Sequence, residues 1–387
     1  MAKIINDPVH GFIQIKYELA QRCIDHPYFQ RLRHISQLGL THFVYPGAHH
    51  SRFHHAIGAF HLMQMALANL KVKGVPISIE EEESACLAIL LHDIGHGPFS
   101  HTLEHQLWPQ TSHEKISLAL MQRLNNQFEG QLSLAIQMFE NKYSRSFFYQ
   151  LISSQLDVDR LDYLKRDSFY SGVVEGNIGV DRILAMIDVR DEQLVVEEKG
   201  VMSIQNYLLT RNLMYWQVYL HKTVMSAENM LINIFKRLHQ LNNQAATYDI
   251  VDSTLNAFIG SNKGSFENTL DQFILLDDSD VWQFVKGLKN SGDYVLEVLS
   301  SNLLNRNLYK VSSNVHSSPL QLELHDDKDK CFFEFDQDVK ITAYSSLNPI
   351  QILKKNGEIQ AYEDFMTQSG NLITDKNQAS KRFYFQL

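Results

Sequence analysis

A mainly helical fold with a smaller α+β part at the C-terminal end is predicted by three features of this sequence. Apolar residues recur at helical spacing through the first two thirds. The period shortens to strand-like alternation near residues 193–204 and again beyond about residue 300. The densest chemical motif, Leu91-His92-Asp93-Ile94-Gly95-His96-Gly97-Pro98, ends a helix rather than a strand.

The elements follow in order. Glu18 to Gln37 carries Leu19, Ile24, Leu32 and Ile35 among charges and is expected to be helical. Ser51 to Lys71 repeats Phe53, Ile57, Phe60, Leu62, Met65, Leu67 and Leu70 at helical spacing. Ser78-Ile79-Glu80-Glu81 is a capping box with acids in the first turn. Its helix runs into Ala85–Leu91, apolar on all sides and so expected to be buried, and stops near Gly95 to Pro98. Ser112 is expected to cap a helix through Leu124, and Phe147 to Phe169 forms another. Gln193 to Ile204 then reads as a hairpin turning at Lys199-Gly200, and helix returns from Gln205 to Asn243. Beyond Ser300, Cys331–Phe335 and Val339–Tyr344 read as strands, and Ile350–Ala361 as a hairpin turning at Asn356-Gly357. Residues 1–240, including the hairpin near 193–204, are expected to form one core and residues 241–387 the α+β part, although no Pro/Gly/Ser linker marks the boundary.

Composition narrows the function. The 387 residues carry 35 Lys and Arg against 44 Asp and Glu, a net charge of −9 that disfavours nonspecific nucleic-acid binding. The longest apolar run is far shorter than the roughly 18 residues of a membrane span. No secretory leader is visible in Met-Ala-Lys-Ile-Ile-Asn-Asp, and Cys23, Cys86 and Cys331 are too far apart for a disulfide framework or a zinc knuckle, so a cytoplasmic location is expected. Of 18 histidines, 11 lie between His42 and His113, a density that points to metal binding or proton transfer.

His92 and Asp93 are neighbours and so diverge by about 100° on a straight helix; they can share an ion only where the helix ends. The apolar run before them puts the pair on the floor of a buried site, where an ionised Asp must be paired or metal-bound. Arg52-Phe53-His54-His55 opens the helix upstream and Asp157-Val158-Asp159-Arg160 the one downstream. One His from the first and one Asp from the second complete a His2Asp2 set suited to Fe, Mn, Zn, Ni or Mg, with positions left for water and substrate.

The order His…His-Asp…Asp resembles the HD superfamily of metal-dependent phosphohydrolases. The resemblance is closer than that. Asn6-Asp7-Pro8-Val9-His10-Gly11, Phe29-Gln30-Arg31-Leu32-Arg33, Gln37-Leu38-Gly39, Tyr45-Pro46-Gly47-Ala48, Arg52–His55, His92–His101 and Asp157–Asp167 follow one another as in the HD-domain deoxynucleoside triphosphate triphosphohydrolases, over roughly residues 3–240. No sterile-alpha-motif domain, which mammalian members carry, is expected ahead of the match.

The resemblance implies metal ligands His55, His92, Asp93 and Asp159, with His54 a bystander and Asp157 and Asp162 structural partners of nearby Arg residues. It places His96, His101 and His113 around the phosphates. His101 is expected to be the general acid, with Glu104 three residues on to orient it, and His113 and Glu114 in support. Asp159, Tyr163 and Asp167 fall at i, i+4 and i+8 on one face. Tyr163 would then pack on the deoxyribose and exclude a 2′-hydroxyl, and Asp167 and Gln37 would bind the sugar. Arg52 would fork onto phosphate; Arg160 stands where mammalian members have Lys. Arg211, Tyr219 and Lys222 are expected on one helical face as a further phosphate and sugar segment, and Tyr215 replaces a mammalian His. Lys3, Asp25, Gln30 and Arg33 match a regulatory guanine-nucleotide site. The implied activity is metal-dependent cleavage of dNTP at the α-phosphorus to deoxynucleoside and tripolyphosphate. A second Mg on the triphosphate, GTP or dNTP as activator, and a homodimer or homotetramer would accompany it; membrane and nucleic acid are not expected partners. Two alternatives stay open: an HD phosphohydrolase for another nucleotide, a monophosphate or alarmone, and a nucleotide- or nucleic-acid-sensing protein with weak catalysis.

Overall fold

A computed structural model describes residues 3–243, 254–259, 265–314, 326–342, 344–345, 347–368 and 378–387. The architecture is mainly α, with small sheets at the N-terminal edge and in the C-terminal part. At its centre lies the Arg52–Val72 helix, buried on nearly every side and packed between the Ile79–Leu91 and Val158–Ser171 helices. Gly58 permits the second contact, because a Cβ there would stand 2.0 Å from Asp162 Oδ1. Ser78 and Glu81 form the expected capping box, a motif in which each cap is worth about 1 kcal/mol. The residues from Ala85 to Leu91 are all buried, so His92 and Asp93 emerge from the interior. Gly95 lets the following turn press on the His113–Gln127 helix, since a Cβ there would lie 2.3 Å from His113 O.

Several boundaries differ from the sequence pattern, each for a local reason. Pro27 has no N–H to give, so the first helix ends at Asp25, and Pro27–Gln30 and a 3-10 turn Arg31–His34 follow. The expected Phe147–Phe169 helix is two, Phe147–Ile152 and Val158–Ser171, because Asp157 caps the second by accepting from Arg160 N at 2.8 Å. The hairpin lies earlier than expected. Ile187–Arg190 pairs with Gln193–Glu197 through Asp191 and Glu192, both at positive φ, and Lys199-Gly200 instead leads into the Val201–Met214 helix. A π turn, Tyr215–Tyr219, and a break at Leu220-His221 separate that helix from Lys222–Asn243.

In the C-terminal part, Asp327–Phe332 is a 3-10 turn capped by Asp326, and Glu334–Thr342 is one strand where two were expected. The turn at Asn356-Gly357 stands as expected, with Gly357 at φ +87 and Gln351–Leu353 paired to Ile359–Ala361. Gln193–Glu197 also pairs in parallel with Gln351–Leu353, so the two parts of the chain share a sheet. The 240/241 division falls inside the Lys222–Asn243 helix, which packs on Tyr294–Leu304. Among the described residues no helix is long and apolar enough to cross a membrane.

Candidate active site

Two helices and the end of a third bring the expected metal set together. His55 Nε2 lies 3.1 Å from Asp159 Oδ1 and 3.8 Å from Asp93 Oδ2; His92 Nε2 lies 3.2 Å from Asp93 Oδ1 and 3.6 Å from Asp159 Oδ1. The other ring nitrogens are occupied. His92 Nδ1 donates to Ile89 O at 2.6 Å, and His55 Nδ1 donates to Asp162 Oδ2 at 2.8 Å. That leaves the two Nε2 atoms buried, facing the carboxylates and without hydrogen-bond partners among the described residues. Burial alone would strip a proton from His55, but Asp159 and Asp162 overcome it and hold the ring charged up to about 10. A pocket that retains a proton so strongly has the charge and the donors for a divalent cation, and ligand atoms of His55, His92 and Asp159 all lie within 4.8 Å of one another.

Asp162 does more than the Arg pairing expected of it. It accepts from Arg166 Nε at 2.9 Å, from His10 Nε2 at 2.7 Å and from His55, while Arg166 reaches Asp7 at 2.8 Å. This buried network fixes the plane of the His55 ring. Asp157 pairs with Arg160 as foreseen, and His54 caps its own helix, its Nδ1 accepting from Ser51 N at 3.2 Å.

Beside the metal set opens a cavity of ≈ 460 Å³ lined by Gln37, Arg52, His96, His101, His113, Asp159, Tyr163, Asp167 and Tyr219. Arg52 is buried and donates to Asp93 Oδ2 at 2.6 Å, so it holds a metal ligand as well as facing the cavity. His96 stacks on His113 with centroids 3.9 Å apart, and His101 meets both rings edge-on. Glu104 does not orient His101. Its carboxylate lies against the helix N-terminus at His113 and accepts from that residue's N at 2.7 Å and Nδ1 at 2.9 Å. His101 opens onto the cavity; crowding by protein, then Arg52 and His113, lower its pKa, so without phosphate its imidazole is neutral. Glu114 is exposed, 3.3 Å from His113 Nε2.

Asp167 is held from both sides, by Tyr219 Oη at 2.8 Å and by His50 Nε2 at 2.8 Å. The expected shared face of Arg211, Tyr219 and Lys222 is not formed, because the π turn rotates the chain between them. Tyr219 and Tyr215 face the cavity, Arg211 lies buried behind with Gln155 Oε1 at 3.4 Å, and Lys222 is exposed. Arg160, Arg211, Lys222, Glu104 and Glu114 stand outside the cavity lining.

The four positions proposed for regulation gather on one surface. Lys3 pairs with Asp25, Gln30 Nε2 donates to Ile24 O at 2.6 Å, and Arg33 Nε donates to Gln30 Oε1 at 2.8 Å.

Sequence reasoning missed several residues of the site. Asp278, far along the chain, accepts from Ser36 N at 2.8 Å and from Phe99 N at 3.0 Å, joining two cavity walls. Phe99 sits at φ 45, ψ 45, a left-handed conformation unusual for a bulky residue. Buried Arg31 donates to Ile94 O and His96 O and fixes the turn after the His-Asp pair. No local pattern marks Asp278 or His50; the Phe99 conformation is invisible in sequence.

A helical His-Asp cluster held by buried partners, beside a cavity faced by an arginine and three histidines, defines a metal-dependent phosphohydrolase of the HD type. Residues 52–167 match the HD domain and residues 178–272 the HD-associated region. A phosphohydrolase from Bacteroides thetaiotaomicron superposes with a TM-score of 0.89 at 40% identity over 100% of both chains. Protein YwfO of Bacillus subtilis is 34% identical over 80% of this chain and 71% of its own. The human deoxynucleoside triphosphate triphosphohydrolase SAMHD1 is 30% identical over 60% of this chain, which spans 44% of that protein. The chain belongs to the HD-domain phosphohydrolases and is homologous to the SAMHD1 triphosphohydrolases.

Proposed function

We propose that this protein hydrolyses dNTPs at the α-phosphorus, releasing deoxynucleoside and tripolyphosphate. The observation that carries this reading is that Asp159, Tyr163 and Asp167, one face of one helix, line a single cavity with Arg52 and three histidines. That order matches a substrate with phosphate at one end and a sugar beside it. A divalent ion held by His55, His92, Asp93 and Asp159 would polarise the phosphate and activate water. Tyr163 presents its ring to the sugar, where a 2′-hydroxyl would collide. Asp167, oriented by His50 and Tyr219, accepts from the 3′-hydroxyl, and Gln37 supports it. Arg52 and the His96–His113 stack face the phosphates, while Glu104 fixes the His113 ring.

His101 supplies the proton to the departing 5′-oxygen. The negative charge of a triphosphate would draw a proton onto its otherwise neutral ring. Arg211 is a buried guanidinium with no carboxylate among its hydrogen-bond partners in the described residues, and Arg160 lies near it; both form a cationic reserve behind Tyr163. Lys222 would extend that charge at the surface. The three free cysteines suit a reducing, cytoplasmic setting. A homo-oligomer activated by GTP or dNTP, a second Mg on the triphosphate and a core spanning residues 1–240 belong to the same reading.

Tripolyphosphate release, assayed with each dNTP and rNTP on the metal-loaded full chain, tests it. Release from dNTPs at least about a hundredfold faster than from rNTPs is expected, a difference of roughly 2.7 kcal/mol in the transition state. Release of monophosphate or pyrophosphate, or equal rates on ATP and dATP, would overturn it.

A further inference from the structure

Three polar residues of the cavity lining are used by none of the roles above. Glu228, from the Lys222–Asn243 helix, lines the cavity with Ser100 and Thr102, from the start of the Ser100–Leu107 helix. A Cβ on Gly39 would stand 3.9 Å from Glu228 Oε1 and 3.9 Å from the Phe99 ring, so the three elements meet there.

The other carboxylates of the cavity are engaged, Asp93 by Arg52 and His96, Asp159 by His55, and Asp167 by His50 and Tyr219. Glu228 has no such cation among the described residues. Burial pushes its carboxyl up to about 7, opposed only by the Thr102 hydroxyl. Ser100 Oγ is buried and has no hydrogen-bond partner among the described residues, and neither does Gln37 Oε1 in the same lining. A desolvated carboxyl and an idle hydroxyl are costly unless a ligand completes their hydrogen bonds.

We infer that Glu228 and Ser100 read the edge of the nucleobase and favour guanine over thymine; this rests on the dNTP reading. Guanine presents adjacent N1–H and N2–H groups to a carboxylate and offers O6 to a hydroxyl. Thymine presents one N–H flanked by two carbonyl oxygens, which repel Glu228 in the ionised form it adopts above about pH 7. The ligand's N–H donors supply what cationic and hydroxyl side chains supply to the other three carboxylates.

The test is competition between dGTP and dTTP on the metal-loaded full chain, with equilibrium binding of both in calcium buffer as a readout that needs no turnover. The wild type is expected to favour dGTP by at least about tenfold, in the range a hydrogen-bonding site achieves against a ligand lacking the group. Glu228→Gln should bring the ratio near one, Glu228→Asp should retain most of it, and metal content should be unchanged in both. Equal binding of dGTP and dTTP by the wild type, or an unchanged ratio in Glu228→Gln, would overturn the inference. Failure of every dNTP to be hydrolysed would instead sink the proposed activity, while the binding ratio would still report on Glu228.

Discussion

His55 gives its Nδ1–H to Asp162 Oδ2 across 2.8 Å, which leaves Nε2 as the ring's one remaining ligand atom. The carboxylate thereby fixes the ring's orientation and keeps Nε2 turned toward the ion site, and Arg166 and Asp7 hold the carboxylate in turn. Asp162→Asn keeps the shape and removes the charge. Metal affinity is expected to fall about 10- to 100-fold. Chelator competition followed by elemental analysis measures it. Asp7→Asn is the control: it weakens the other ion pair of Arg166 without touching His55, so it should destabilise the fold yet leave metal affinity near the wild-type value. Equal metal loss in both variants would mean that Asp162 acts only through packing.

Glu104 gives a pH signature. Burial would raise its carboxyl, but hydrogen bonds from the His113 ring and backbone overcome this and hold it down at about 2. A carboxylate whose folded value lies below its unfolded value of about 4.3 adds stability that is complete above that value and fades as pH falls toward 2. The ceiling is roughly 3 kcal/mol, since each tenfold gain in acidity is worth about 1.4 kcal/mol, and its partial exposure to solvent screens it below that. Wild type and Glu104→Gln should therefore differ in denaturant midpoint at pH 6 and converge as pH drops below about 4. A constant difference across that range would contradict the assignment.

Much of the site was legible because its geometry is local. Asp159, Tyr163 and Asp167 share a helical face, and an apolar run leading into His92-Asp93 can only end in the interior. What could not be read depends on contacts between distant segments. Glu104 lies three residues after His101, yet it bonds His113 across a turn. The π turn at Tyr215–Tyr219 rotates Arg211 and Lys222 off the face of Tyr219, and helical periodicity carries no sign of that extra residue per turn. The hairpin was misplaced because Lys199-Gly200 has the composition of a reverse turn, whereas Asp191 and Glu192 adopt positive φ without glycine.

Asp278 extends the site into the chain beyond residue 240. It holds Ser36 N and Phe99 N at once, so it sets the distance between the wall carrying Gln37 and the wall carrying Ser100 and His101. Asp278→Ala leaves two backbone donors unpaired and releases Phe99 from its left-handed conformation. A fall of about 10- to 100-fold in kcat/KM is expected from misplacing those walls, with metal content retained. The measurement is steady-state kinetics beside elemental analysis. Loss of metal in parallel with activity would place the effect in the fold as a whole.

The surface of Lys3, Asp25, Gln30 and Arg33 carries the boldest expectation. Arg33 lies over the Phe53 ring at 3.5 Å, and Phe53 follows Arg52 at the start of the helix that bears His55. A nucleotide seated there would replace the Lys3–Asp25 pair, Asp25 turning to a guanine edge while Lys3 and Arg33 meet phosphate. Its charge would repel carboxylates unless both cations stay engaged. If it bridges two subunits, it favours the assembly by its extra affinity for that state. We therefore expect GTP or a dNTP to raise the solution mass and to raise turnover of a second dNTP by at least about fivefold, the lower range of allosteric coupling. Arg33→Ala should lose both responses and keep its metal. Light scattering coupled to size exclusion, run beside rate assays with and without nucleotide, reads both. Mass and rate indifferent to nucleotide would leave Arg33 as a packing residue on Phe53 and the enzyme constitutively active.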